Sequence, residues 1–217
     1  MKYAPYSFSR LSTFETCPQK FKFRYIDCLQ GAEASAALKK GSEIHSLLEH
    51  YPDCEESQYR GIIQTYMDNL GKKYDLSKAQ REVEIALDGD LKPCEPYSSK
   101  LLFRGFADAV IDDGSSLTVL DYKTGKYKEE RNQDYRQLMF YALYFLKATH
   151  YTEVQTAYVY VEHNMENPFT FKAEYLPNYE RVLMQMIRDA EDCTEFVKKT
   201  KFCRWCEYRD ICLGLKT

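Results

Sequence analysis

A chain of 217 residues, 44% hydrophobic and 29% charged, is long enough for one substantial core and is too apolar to be a disordered polyelectrolyte. Its net charge of −3 excludes a strongly basic nucleic-acid coat protein, although a local basic groove on an acidic chain is enough to hold a phosphate backbone. No run of about 18 apolar residues occurs, and the opening MKYAPYSFSR has no apolar signal core, so a cytoplasmic protein without a membrane partner is expected.

Residues 9–26, SRLSTFETCPQKFKFRYI, read as helical, with Leu11, Phe14, Pro18, Phe21 and Tyr25 on one stripe. Ser12 followed by Glu15 fits a capping box, and Pro18 should kink or restart the helix because it has no backbone N–H to donate. A second helix is expected over 36–51 and a third within about 55–73. REVEIALDGD alternates as a strand. LLFRGFADAVIDDGSSLTVLDYKTGK reads as strand, turn and strand. QDYRQLMFYALYFLKATH is a long helix, VQTAYVYVEH and FTFKAEYL are two strands around Asn167-Pro168, and a helix over about 178–199 leads to the terminal cysteines. This order predicts an α/β chain, one domain over 1–217, with a mixed central sheet flanked by helices.

Chemistry concentrates in the first of these strand pairs. In LTVLDYKTG, Leu117, Val119, Asp121 and Lys123 share one face and Tyr122 points away. Asp121 and Lys123 then lie roughly 6–7 Å apart along the strand. The turn makes the strand of Asp108 a neighbour, so the two carboxylates converge, and in apolar surroundings they repel unless a cation lies between them. Oxygen ligands of this kind suit Mg²⁺ or Mn²⁺. Eight cysteines in a cytosolic chain point to metal or to buried thiols. Three of them, Cys203, Cys206 and Cys212, form a C-x2-C-x5-C pattern that asks for a fourth ligand from elsewhere. The 19 Tyr and 12 Phe suit base stacking as well as an ordinary aromatic core.

Asp108 followed by Asp121-Tyr122-Lys123 resembles the core of the PD-(D/E)XK nucleases. GSEIHSLLE, with Gly41, His45 and Glu49, resembles the upstream helix of the RecB-like branch of that superfamily. Gln137-x3-Tyr141 resembles the element that follows its core, FETCPQKFKFRY its N-terminal C-P-x2-F segment, and the closing cysteines the iron–sulfur tail of AddB-type and CRISPR-adaptation nucleases. The matches run in order from Ser9 to Cys212, and residues 51–100 carry none.

The resemblance implies a restriction-endonuclease-like fold with a catalytic sheet core over 80–162 and an iron–sulfur cap made from 1–35 and 195–217. It implies a metal-dependent, single-strand-preferring DNA exonuclease of recombination, repair or CRISPR or phage DNA processing, acting in a cellular or viral host's cytoplasm. His45, Asp108, Asp121 and the Tyr122 carbonyl would hold Mn²⁺ or Mg²⁺, Lys123 would serve the attacking water or the transition state, and Gln137 and Tyr141 would lie near the scissile phosphate. Cys17 becomes the fourth ligand of a 4Fe-4S cluster with Cys203, Cys206 and Cys212, zinc being the rival, while Cys28, Cys54, Cys94 and Cys193 are buried or incidental. Lys20, Lys22, Arg24, Lys198, Lys199, Lys201 and Arg204 would form a phosphate track beside the cluster or a plain solvated face. The alternative function is a non-catalytic or redox-gated DNA-binding module on the same fold.

Overall fold

The computed structural model describes residues 2–33, 36–53 and 56–215. Five strands form one mixed sheet in the order β1 (Ala79–Asp88), β2 (Leu101–Asp112), β3 (Leu117–Lys123), β4 (Glu153–Tyr160) and β5 (Met165–Lys172). β3 and β4 are parallel and joined through a helix, and the other neighbours are antiparallel. Strand alternation divides the side chains between two cores. Leu117 and Val119 face the core shared with α1 (Phe8–Thr16), α5 (Arg136–Ala148) and α6 (Leu176–Glu191); Leu120 and Tyr122 face the core shared with α3 (Ala36–Glu49) and α4 (Arg60–Leu70). The α/β mixed sheet with flanking helices is therefore as expected. Among the described residues no helix is long and apolar enough to cross a membrane.

The N-terminal helix starts earlier than its sequence suggests. Ser7, not Ser12, is the cap, its Oγ accepting the Arg10 N–H at 3.2 Å. Ser12 instead donates to the Ser9 carbonyl, and Glu15 takes the Arg136 guanidinium through both oxygens at 2.6 and 2.7 Å, tying α1 to α5. A capping box is a local pattern, and a long-range bidentate ion pair claims its acid here. Cys17 closes α1 in an extended conformation, and Pro18 opens α2 (Pro18–Phe21), where its missing N–H costs nothing.

Two further expectations shift. Pro168 lies inside β5 rather than between strands, which is permitted because β5 is the sheet edge. The last long helix stops at Glu191, and residues 192–199 run without regular structure, with Phe196 stacked 6.4 Å from Phe21. Glu191 accepts the backbone N–H groups of Lys2 and Tyr3 and the Tyr6 hydroxyl, so the end of α6 anchors the start of the chain. Past the short helical turns Thr200–Trp205 and α7 (Arg209–Cys212), the tail lies against the N-terminal segment: Ala32 N–H donates to the Glu207 carbonyl at 2.8 Å and Tyr208 Oη to the Leu29 carbonyl at 3.2 Å.

Gly105 is where the sheet admits α5. A Cβ there would stand 3.2 Å from both the Tyr141 ring and Ile85 Cγ1. Gly105→Ala is expected to destabilise the fold by about 1–3 kcal/mol through overpacking. It should also displace Tyr141, and a lowered melting temperature checks it.

Candidate active site

β2 and β3 part company at the carboxylates. Their ladder ends at Ala109 opposite Leu120, and the next two positions are Asp108 and Asp121. In place of a ladder bond, Asp108 Oδ2 accepts the Tyr122 N–H at 2.5 Å. β1 is distorted at the same level: Arg81 pairs with Ala109 and Val83 with Ala107, while Glu82 between them has φ 49° and no ladder partner. A non-glycine residue in the left-handed region is strained, and such strain persists only where the surroundings hold it. Glu82 is the residue the sequence did not reveal. It occupies an ordinary polar position in an alternating strand, and nothing local in its sequence sets its backbone angle or the register of β1 on β2.

The two aspartates are held against their own chemistry. Burial, and then the charge of Asp121, push the Asp108 carboxyl up to about 8. Glu82 is raised by burial, then by Glu49 and Asp121. Asp121 is only 3% exposed, and its Oδ2 has no hydrogen-bond partner. Lys123 Nζ lies 2.5 Å from that oxygen, but the contact is an ion pair without hydrogen-bond geometry. The ammonium makes its hydrogen bond to Gln137 Oε1 at 2.9 Å, and Gln137 Nε2 donates to Tyr141 Oη at 2.7 Å. Gln137 and Tyr141 are one helical turn apart on α5, so the helix extends a polar chain from the strand lysine. The Tyr158 ring lies 4.7 Å from Lys123 Nζ, in cation–π contact.

His45 reaches this group from the other side of the sheet. α3 approaches the end of β3 at Gly41, where a Cβ would stand 2.9 Å from Thr124 Oγ1. One turn later His45 Nδ1 is 3.8 Å from Asp108 Oδ1. Burial lowers the imidazole pKa, while the charge of Asp121 opposes that shift and a hydrogen bond with the Tyr122 main chain adds to the opposition. Glu49, a turn further, bears on the cluster through Glu82. His45, Asp108, Asp121, Tyr122, Lys123, Gln137 and Tyr141 therefore form one connected group. Among the described residues no three His, Cys, Asp or Glu side chains close on one point tightly enough to hold a metal ion. A buried carboxylate oxygen without a hydrogen bond beside a second carboxyl of raised pKa fits a divalent cation.

Repulsion of this kind has a measurable sign. With its folded pKa near 8 against an ordinary 3.8, Asp108 binds a proton in the folded chain that the unfolded chain releases. Metal-free stability therefore falls as pH rises through that window, by up to about 1.4 kcal/mol per pH unit. Asp108→Asn, whose amide oxygen can still accept the Tyr122 N–H, is expected to melt above the wild type in chelator. The gap should be larger at pH 8 than at pH 5, and thermal melts at both values check it. A wild type that gains stability over the same range would overturn the electrostatic reading.

The second cluster lies between the chain ends. Cys17, Cys203, Cys206 and Cys212 all line one cavity of about 90 Å³, with Lys20, Lys198 and Lys199 on its wall. Lys199 stitches it, its backbone N–H 3.4 Å from Cys17 Sγ and its Nζ donating to the Glu15 carbonyl at 2.7 Å. Burial raises the Cys206 and Cys212 thiols. Cys28 is exposed, Cys94 and Cys193 are partly buried, and none of these three lines the cavity; Cys54 lies outside the described residues. The basic residues expected as a phosphate track are partly committed elsewhere. Lys20 pairs with Glu207 at 2.8 Å and Lys22 with Asp27 at 2.6 Å, and Arg24 stands 4.0 Å from Glu207. Lys201 and Arg204 lie over the Phe202 and Trp205 rings.

The sequence profile of the PD-(D/E)XK nuclease superfamily matches residues 5–213. No curated protein sequence matches. Among solved structures, that of SSO0001 is similar over 95% of this chain and 86% of its own, with a TM-score of 0.52 at 15% identity, a likeness of fold. An alkaline exonuclease (LHK-Exo) from Laribacter hongkongensis aligns more loosely, with a TM-score of 0.45 at 8% identity over 88% of this chain and 89% of its own.

Proposed function

We propose that this chain, which belongs to the PD-(D/E)XK nuclease superfamily, is a metal-dependent DNA nuclease that hydrolyses phosphodiester bonds at Asp108, Asp121 and Lys123. The observation that carries the reading is the pairing of a buried, unbonded Asp121 oxygen with Asp108 and Lys123, while Lys123 is linked through Gln137 to Tyr141. A structural ion pair needs neither a second repelling carboxyl nor that relay.

Asp108, Asp121, His45 and the Tyr122 carbonyl would hold Mg²⁺ or Mn²⁺, which supplies a water of lowered pKa and neutralises charge on the phosphate. Imidazole in the set favours Mn²⁺ over Mg²⁺, and burial keeps His45 neutral and able to ligate. Lys123 orients the attacking water or meets the charge developing on the phosphoryl oxygens. Gln137 fixes the position of the ammonium, and its own bond to Tyr141 fixes the amide. Glu82 and Glu49 add negative charge behind the site and raise the affinity for a cation.

The four cysteines would hold a 4Fe-4S cluster that fastens 195–217 to 1–35 as a cap. The four thiols line one cavity, and their one-plus-three spacing in the sequence favours an iron–sulfur cluster over zinc.

The substrate would be single-stranded DNA entered from an end. Exposed Phe202 and Trp205 beside Lys201 and Arg204 suit a strand led past the cap. The test is cleavage of linear against circular single-stranded DNA of one sequence, with Mn²⁺ or Mg²⁺ and a chelator control. Linear DNA is expected to be cut faster, with activity lost in chelator and weakened steeply by salt. Equal rates would mark an endonuclease with an open cleft, and no cleavage of any DNA with either ion would remove the nuclease reading.

A further inference from the structure

β2 continues past the point where β3 leaves it, and there it carries a group that the catalytic reading does not use. The Arg104 guanidinium lies 5.2 Å from the Phe106 ring centroid and 5.8 Å from that of Tyr97. Phe106 is 43% exposed and Tyr97 is 88% exposed, large areas for rings placed in no apolar core. Glu84, across the ladder on β1, pairs with Arg104 and so fixes the guanidinium near both rings. Arg104, Phe106 and Asp108 occupy alternate positions on the strand, so the stack leads to the first catalytic carboxylate. Beside it lies a cavity of about 400 Å³. Arg104 and Phe106 of β2 line it, as do Gln137 and Tyr141 of α5 and the segment 5–9.

We propose that this cavity and its Arg–aromatic stack hold the nucleotide that flanks the scissile phosphate of a single strand, with its base on Phe106 and its phosphate at Arg104. The inference rests on the nuclease reading and adds to it the residues that position the strand. A cation beside aromatic rings provides partners for the two features every single-stranded nucleotide offers, a π-face and a phosphate, and neither depends on sequence. Bases in a duplex are already stacked on both faces, so the platform selects unpaired DNA. Gln137 and Tyr141 form part of the same lining, so the cavity adjoins the end of the Lys123 relay.

The experiment is fluorescence anisotropy of a labelled oligothymidylate in chelator, where nothing is cut. Phe106→Ala is expected to weaken binding about 5- to 150-fold, from stacking worth roughly 1–3 kcal/mol per base. Phe106→Tyr should bind like the wild type and Phe106→Leu like Phe106→Ala, separating stacking from apolar contact. Arg104→Ala should lower both the affinity and the salt dependence, the latter by about one phosphate's share. Tyr175→Ala, which removes an exposed ring ahead of α6, is the control and should bind normally. With Mn²⁺ present, Phe106→Ala should raise KM and spare kcat. Wild-type binding by both Phe106→Ala and Phe106→Leu overturns the platform. Metal-dependent cleavage by the wild type is read in parallel: if it persists while those variants bind normally, only the platform falls, and if the wild type cuts nothing, the nuclease reading falls with it.

Discussion

Lys123→Ala is expected to lower the rate of phosphodiester cleavage by about 10²–10³-fold while the protein stays folded, the scale on which one well-placed electrostatic donor contributes to a transition state. The ammonium stands at the mouth of a buried acid pair, held by Gln137 Oε1 on one side and by the Tyr158 ring on another. Those contacts fix the charge before substrate arrives, so little reorganisation is left for the reaction. Asp121→Ala should abolish cleavage, because it removes a carboxylate through which the cation would be held. Gln137→Ala should cost less, since Lys123 keeps its ion pair with Asp121 while losing its orientation. Single-turnover rates on end-labelled DNA at saturating Mn²⁺, with circular dichroism and melting for each variant, separate lost chemistry from lost fold. Near-normal turnover by Lys123→Ala would falsify the assignment of the site.

The residues of the candidate site were legible as a group because each belongs to a pattern that survives in one dimension. Asp121 and Lys123 share a face through strand alternation, Gln137 and Tyr141 through helical spacing, and the turn at 112–116 makes Asp108 their neighbour. That turn is itself written in the sequence, since Asp113 accepts the N–H groups of Ser115 and Ser116 at 2.8 and 2.7 Å. Glu82 was not legible. Its place beside Asp108 depends on the register of β1 over β2, two strands joined by a loop with no hairpin signal, and on a left-handed backbone angle that glutamate does not advertise. The cap of α1 was misread for a related reason. Ser12 and Glu15 match a local motif, but Glu15 is taken by Arg136 from α5, a contact far away in sequence. The early end of α6 follows the same rule, since Phe196 leaves the helical period to stack on Phe21.

Cys17→Ala should damage the protein as severely as Cys203→Ala, although one residue lies in the N-terminal segment and the other close to the C-terminus. In the reduced chain they are separate partly exposed thiols, and their loss would be unequal and small. As two ligands of one cluster they close the same loop, and either loss opens it. The stabilisation at stake is several kcal/mol, taking as a guide the roughly 4–5 kcal/mol of a disulfide closing a loop of 100 residues or more. Protein contacts already bring the ends together, through Lys20 with Glu207, Ala32 with the Glu207 carbonyl and Lys199 with Glu15, so they hold the four thiols around the cavity before anything binds. Such a site is filled at a lower conformational cost than one assembled from loose ends. Protein purified without oxygen is accordingly expected to be brown, with iron and sulfide in equal amounts, and both variants should lose the colour and melt lower together. Cys193→Ala, which alters a thiol outside the cavity, should keep both colour and melting temperature. Colourless wild-type protein with one zinc and no sulfide would replace the cluster with a single ion, and full iron retention by Cys17→Ala would detach the N-terminal segment from the site.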